Sequence, residues 1–374
     1  MKILFTTENI DWGGSELLWN NVANYLSSTQ QITICVNEKI ELPEKTRQNK
    51  AITIRYITKP TFTILQKIYN RIVPYSLRIK HSDSRVAYIK EIMPDLVVIN
   101  QGYNFNGVDL MAFCIKWNIK YVTISHAVNE FYWPNFSLRV KMKKGFKRAL
   151  TNYFVSNDNL NATESQIGEQ LVNAKVVRNP FNVPYNVSLT YPTDKENYKL
   201  AFVGRYFFSA KGQDILLRVL NKAKWRERNL IINFYGNGRD KQNLIDLIAL
   251  YELENVFIKD FTPTLDIWKE NHGLILTSRY EGLPIALVEA MLCSRIAIIT
   301  DVSGSAEVVT HMVSGFVAEA PRVESVDRSL ELAWQNRKEW QHMGVQARRE
   351  ICEKVEKDPE ISFAKDLLRQ IKVN

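Results

Sequence analysis

Only four cysteines occur in 374 residues, at Cys35, Cys114, Cys293 and Cys352. They lie far apart, with no Cys-x-x-Cys pair. That spacing excludes a disulfide framework and a structural zinc site, and it predicts reduced thiols. No apolar run approaches the roughly 20 residues that span a bilayer. The opening residues, MKILFTTENI, have no long apolar core and no small-residue cleavage site, so no secretory signal is expected. The expectation is a cytoplasmic protein, with peripheral attachment to the inner face of the cytoplasmic membrane left open. Gly-x-Gly-x-x-Gly is missing after the first predicted strand, which weakens a dehydrogenase reading. Internal repeats and low-complexity tracts are also absent.

What is present is an ordinary soluble composition, 45% hydrophobic and 24% charged, of a length that suggests two domains. The net charge is +9, which favours an acidic partner. Anionic lipid and a phosphorylated acceptor fit. Nucleic acid is not expected, because no recognised module accompanies the charge.

The most informative stretch is Ser278 to Met291, SRYEGLPIALVEAM. An apolar run, GLILTS, precedes it and reads as a buried strand. IALVEAM follows Pro284 and reads as a helix. The first amides of such a helix have no partner inside it. Those of Ile285, Ala286 and Leu287 are therefore available to an anion, helped by the helix dipole. Glu281 and Glu289 frame the turn. A carboxylate is a poor phosphate ligand and a good acceptor from sugar hydroxyls. The arrangement suits a sugar–diphosphate–nucleoside; the plain alternative is a helix with two surface glutamates.

With its Gly282-Leu283-Pro284 insert, this Glu-x7-Glu pattern resembles the donor-site motif of the retaining glycosyltransferases of family 4. The resemblance implies the GT-B fold, an α/β architecture of two Rossmann-like domains facing each other across a cleft. It covers most of the second half of the chain and only scattered points of the first. It further implies that Glu281 holds donor-sugar hydroxyls and Glu289 the nucleoside ribose. One departure is visible. Where the family's helix ends in Gly and Pro, this chain has Cys293-Ser294-Arg295; an altered turn away from the donor site is expected.

Alternating strands and helices through the first half predict a parallel sheet covered on both faces. Gly13 and Gly14 follow the first strand, allowing a sharp turn and a close approach to ligand. Ser15 is a candidate N-cap, and Leu18, Val22, Tyr25 and Leu26 form the face expected to meet the sheet. The Gly-Gly loop is similar to the family's loop over donor phosphate; geometry alone is the other reason for such glycines. His126 ends a strand, KYVTIS, where the family places a His near the donor sugar, although a lone His is commonly structural.

Two basic stretches lie in this half. Residues 131–150 carry Arg139, Lys141, Lys143, Lys144, Lys147 and Arg148 beside Phe131, Tyr132, Trp133 and Phe136. Residues 59–80 carry Lys59, Lys67, Arg71, Arg78 and Lys80 among apolar residues. Either suits an anionic membrane surface or a lipid-diphosphate acceptor. A solvated helix face is the alternative.

Residues 181–197 read as a linker between a first domain, 1–180, and a second, 198–358. The last segment, 359–374, is expected to be a helix crossing back to the first domain. Gly204-Arg205 and Lys211-Gly212 resemble the family's phosphate-binding pair. A guanidinium and an ammonium at one strand end neutralise a diphosphate and stabilise charge on the leaving group. Gly236 lets backbone approach the ligand, and Asp260, Phe261 and Thr262 are expected to wall the nucleobase. No Asp-x-Asp motif adjoins these residues, so no metal and no cofactor is expected.

The sequence reading is a metal-independent retaining glycosyltransferase. Its donor would be a UDP- or GDP-linked sugar, and its acceptor a hydroxyl of a glycan or lipid-linked molecule, as in lipopolysaccharide or capsule synthesis. The alternatives are a nucleotide-sugar epimerase or phosphorylase of the same fold, or a non-catalytic sugar-binding protein.

Overall fold

The computed structural model describes residues 1–57, 63–73, 84–194 and 196–373. Residues 59–62 and 74–80 of the first basic stretch, including Lys59, Arg78 and Lys80, lie outside the described residues. Two sheets organise the chain. The first contains β1 Lys2–Thr7, β2 Gln31–Asn37, β3 Ile52–Ile57, β4 Leu96–Gln101, β5 Tyr121–Ser125, β6 Asn152–Phe154 and β7 Ala174–Val176. Its order is β3-β2-β1-β4-β5-β6-β7, and all neighbours are parallel. The second contains β8 Tyr198–Val203, β9 Leu230–Tyr235, β10 Val256–Lys259, β11 Gly273–Leu276, β12 Ile296–Thr300 and β13 Gly315–Ala318. Its order is β10-β9-β8-β11-β12-β13, again parallel throughout.

Sequence explains these strands directly. Inner strands such as β4 (LVVINQ) and β12 (IAIIT) are buried at every position, because helices cover both faces. Strand order reverses between β1 and β4 in one sheet and between β8 and β11 in the other. Loops leaving the carboxyl ends at such switch points diverge and open a crevice. Here the two crevices face each other.

Helix Pro359–Val373 packs on the first domain. Phe363, Ala364 and Leu367 join Leu18, Val22 and Leu26 in one core. Tyr153 donates to Asp366 at 2.6 Å, and Phe363 meets the Tyr153 ring edge-on at 4.7 Å.

Two local readings are corrected. Helix Gly14–Leu26 starts from Gly13 with no side-chain cap, and Ser15 lies inside it, donating to Glu16 Oε2 at 2.8 Å. Tyr25 is exposed, while Trp19, one turn and a half earlier, is buried. The Cys293-Ser294-Arg295 departure is accommodated by backbone. Ser294 takes the left-handed φ of 57° that glycine would favour. Arg295 is fully buried and donates to the carbonyls of Trp268, Asn271, Cys293 and Thr190 at 2.7 to 3.0 Å.

Candidate functional site

A cavity of about 720 Å³ lies between the two sheets. Strand ends and the helices that follow them supply its walls. From the first domain come Asn9, Gly13, Gly14, Tyr103 and His126; from the second come Gly204, Arg205, Lys211, Glu281, Pro284, Ile285, Ala286 and Glu289. The Glu-x7-Glu motif, the Gly-Gly loop and the Arg–Lys pair thus meet at one place.

Two glycines let the domains approach so closely. A Cβ on Gly282 would overlap the His126 carbonyl oxygen, and one on Gly14 would lie 2.8 Å from Ile285 Cδ1. Each contact joins a first-domain residue to a second-domain one.

Helix Ile285–Leu292 points its first turn at the cavity. Leu287 N donates to Pro284 O at 3.1 Å, so its amide is not offered to a ligand. Its side chain is buried in the second core. That corrects its place among the amides expected to be available to an anion; Ile285 and Ala286 line the cavity.

Glu281 opens the turn before this helix. Lys211 Nζ lies 2.5 Å from its Oε1 and 2.7 Å from its Oε2. Ser278 donates to the same Oε1 at 2.7 Å, and Glu281 N donates to Ser303 Oγ at 3.1 Å. Gly212 makes this pairing possible. It turns at φ 65° directly after Lys211, and a Cβ there would overlap Thr277 O.

Glu289 sits one helical turn deeper and is 3% exposed. Asn182 gives its Oε1 two hydrogen bonds, from the backbone at 2.8 Å and from Nδ2 at 2.9 Å. Burial pushes the carboxyl up to about 7 against the pull of those bonds. Glu289 also lines the cavity.

Arg205 is exposed to the cleft, with Glu16 opposite. Glu16 is buried at the start of helix Gly14–Leu26. Asn9 Nδ2 at 2.5 Å and Ser15 Oγ at 2.8 Å hold it. Burial raises its pKa, and the Arg205 charge works in the opposite direction. His126 is buried at the end of β5, with Nε2 2.6 Å from Asn100 Oδ1. Burial lowers its pKa to about 3, so the imidazole is neutral near pH 7.

Besides Leu287, four expected residues do not line the cavity. Gly236 instead packs under the β8 loop, where a Cβ would overlap Gly204 O. Asp260, Phe261 and Thr262 lie outside it too, and Phe261 is 97% exposed. Thr264, at the start of the next helix, lines the cavity in their place. Asn9, Glu16, Asn182 and Tyr103 escaped sequence reasoning. Their partners are distant in sequence or belong to no motif, as with Asn182 and Glu289, 107 positions apart.

Of the basic residues in helix Phe136–Arg148, Lys141 pairs with Asp109, while Lys143 and Lys147 pair with Glu169. Among the described residues Lys144 and Arg148 make no ion pair. Phe131 and Trp133 stand exposed just before this helix, and Phe136 is exposed at its first position. No helix of the described residues is long and apolar enough to cross a membrane.

Residues 190–350 match the family model described as "Glycosyl transferases group 1". An uncharacterized glycosyltransferase of Haemophilus influenzae is 25% identical over 293 residues, covering 74% of this chain and 79% of that protein. The lipopolysaccharide 1,6-galactosyltransferase of Escherichia coli K12 is 28% identical over 256 residues, 64% of this chain and 65% of the enzyme. Among solved structures, Anabaena HepE in complex with UDP and glucose superposes with a TM-score of 0.76. It is 18% identical, and the match covers 100% of this chain and 99% of that one. The chain therefore has the GT-B glycosyltransferase fold, with its second half matching the group 1 glycosyl transferases.

Proposed function

We propose that the protein transfers a sugar from a nucleotide-sugar to a hydroxyl of a glycan or lipid-linked acceptor, with retention and without a metal. The observation that carries this reading is the convergence of Arg205, Lys211, Glu281 and Glu289 on one interdomain cavity. The names of the relatives support the chemistry, since one acts on lipopolysaccharide and a protein of similar fold holds UDP with glucose.

In this reading the diphosphate lies against the amides of Ile285 and Ala286, with Arg205 and Lys211 as counter-charges. Glu289 accepts from ribose hydroxyls. Glu281, already bound to Lys211, accepts from the donor sugar, so one ion pair serves both the sugar and the phosphate. Neutral His126 offers a hydrogen bond without adding charge. The bond from the anomeric carbon to phosphate oxygen breaks, and the nucleoside diphosphate leaves with the electron pair. The acceptor oxygen bonds to that carbon from the same face, and its proton passes to the departing phosphate oxygen. Fixed cations at the leaving group supply stabilisation that grows with the developing charge. Membrane-derived acceptors fit the exposed Phe131, Trp133 and Phe136 at the start of a basic helix, which is the setting expected at the inner face of a cytoplasmic membrane.

The test is turnover of a panel of UDP- and GDP-sugars with excess EDTA, using a cell-envelope extract as acceptor. Anomeric configuration is read by proton NMR of the product. The reading expects one donor class to be consumed and an anomer matching the donor. Inversion, or turnover only after metal is restored, would contradict it.

A further inference from the structure

A row of aromatic rings leaves the cavity beside Glu281 and ends at the protein surface. Tyr280, next to Glu281, begins it. The Tyr280 and Tyr103 hydroxyls are 3.1 Å apart across the domain boundary, with ring centres at 6.0 Å. Tyr103 stacks on Phe105 at 5.3 Å with planes 6° apart. Phe105 meets Tyr132 at 4.8 Å. Tyr132 belongs to the exposed turn that also carries Phe131 and Trp133. Tyr280 and Tyr103 line the cavity, and Phe105 and Tyr132 lie beyond it.

The loops that carry these rings are held in place by a buried amide network. Asn104 Nδ2 donates to Gln166 Oε1 at 2.7 Å and to Thr163 Oγ1 at 2.9 Å. Gln166 Nε2 donates in turn to Tyr132 O at 3.0 Å and to Asn129 O at 3.2 Å. Gln101 Nε2 donates to Asn106 O at 2.5 Å and to Asn104 O at 3.3 Å. The loop after β4 and the loop after β5 are thus locked to each other through helix Asn157–Ile167. Gln101, Asn104, Thr163 and Gln166 do not line the cavity. Their effect is to hold Tyr103, Phe105 and Tyr132 as a preorganised line of rings.

We infer that this row is the acceptor track, on which pyranose rings of a glycan stack as its terminal hydroxyl reaches the donor carbon near Glu281. The inference rests on the transferase reading and names its acceptor class. Apolar C–H faces of a sugar pack against ring faces, while phenol hydroxyls and carboxylates take its equatorial hydroxyls. The row supplies the rings, and Asn106 and Glu8 line the same cavity wall with polar groups. A purely structural cluster would fix the two loops without contacting any sugar.

The test uses saturation-transfer NMR with aromatic irradiation, on protein loaded with UDP. The probes are methyl α-D-glucopyranoside, methyl α-D-galactopyranoside and N-acetylglucosamine. Wild type is expected to saturate the ring protons of at least one probe. Phe105→Leu with Tyr132→Leu is expected to reduce that signal fivefold or more. The thermal shift given by UDP in the same variant is expected to stay as in wild type. No signal from any probe, or an undiminished signal in the double variant, overturns the track. Loss of the UDP shift in that variant also overturns it, since the rings would then serve the fold or the donor. A wild type that gives sugar signals but no UDP shift would count against the transferase reading and leave the sugar contact standing.

Discussion

The Lys211 ammonium straddles both oxygens of the Glu281 carboxylate, 2.5 and 2.7 Å away. Both side chains are largely buried, 19% and 9% exposed. Neither is thus a free surface charge. Removing one member strands the other in a desolvated place, whereas removing both does not. Lys211→Met is expected to lower kcat about 100-fold through loss of leaving-group stabilisation. It should also destabilise the fold by about 1–3 kcal/mol. The double variant Lys211→Met with Glu281→Gln is expected to recover stability without recovering activity. Calorimetry with steady-state turnover checks this, and a kcat near normal in either form would contradict the assigned roles.

The main features of this site were legible in sequence because each sits in a short segment with its own local logic. Glu281-x7-Glu289 and Gly204-Arg205 lie at strand ends that the apolar runs reveal. The charge state of the site was not legible. Sequence presents Lys211 as a cation for the diphosphate, and only the fold, turning at Gly212, brings it onto Glu281. The same holds for Glu16 opposite Arg205 and for Tyr103 against Tyr280, 177 positions apart. Asp260 to Thr262 were placed by position along the chain, whereas the turn before helix Thr264–Glu270 carries them outward. Where tertiary contact decides, local pattern is silent.

Domain closure depends on Gly282 having no side chain. A Cβ there meets the His126 carbonyl and the Val155 side chain, 2.5 Å away. Backbone cannot yield as a side-chain tip can. Gly282→Ala is expected to hold the domains apart, displace Glu281 from the first-domain wall and cut kcat about 100-fold. Gly14→Ala meets only the end of Ile285 and should cost far less. Small-angle scattering should show a larger radius of gyration for the Gly282 variant. An unchanged radius with normal turnover would contradict this account.

Glu289 makes both stability and donor affinity depend on pH. Its carboxyl is raised from 4.5 to about 7. Between those values the folded protein keeps a proton that the unfolded chain has released. Stability from this group is therefore fully present below about pH 4.5 and is lost as pH rises through 7. Glu289→Gln removes the penalty, so the variant should gain about 2–3 kcal/mol on wild type at pH 8 compared with pH 4.5. Ribose hydroxyls favour the ionised carboxylate, so nucleotide affinity of wild type should fall as pH drops below about 7. Denaturation and binding at several pH values check both halves. A difference between the proteins that stays flat with pH would contradict the assignment.

Arg295 is a buried cation that does not line the cavity. Its guanidinium satisfies four carbonyl groups in the second core and lies 5.3 Å from the Tyr191 ring centre. Arg295→Ala leaves buried carbonyls without donors and is expected to cost about 3 kcal/mol or more. Ser294→Gly relieves a left-handed residue and should gain about 0.5–1 kcal/mol. Donor KM should stay the same in Ser294→Gly, which melting curves and kinetics will show together.

Calorimetric titration with UDP and with GDP, in excess EDTA, tests the central claim most directly. The account predicts that wild type binds one of the two diphosphates without metal. It predicts at least a tenfold weaker association for Arg205→Ala and for Glu289→Ala, each retaining its fold by circular dichroism. A wild type that binds neither nucleotide, or variants that bind as tightly as wild type, would contradict a donor site in this cleft.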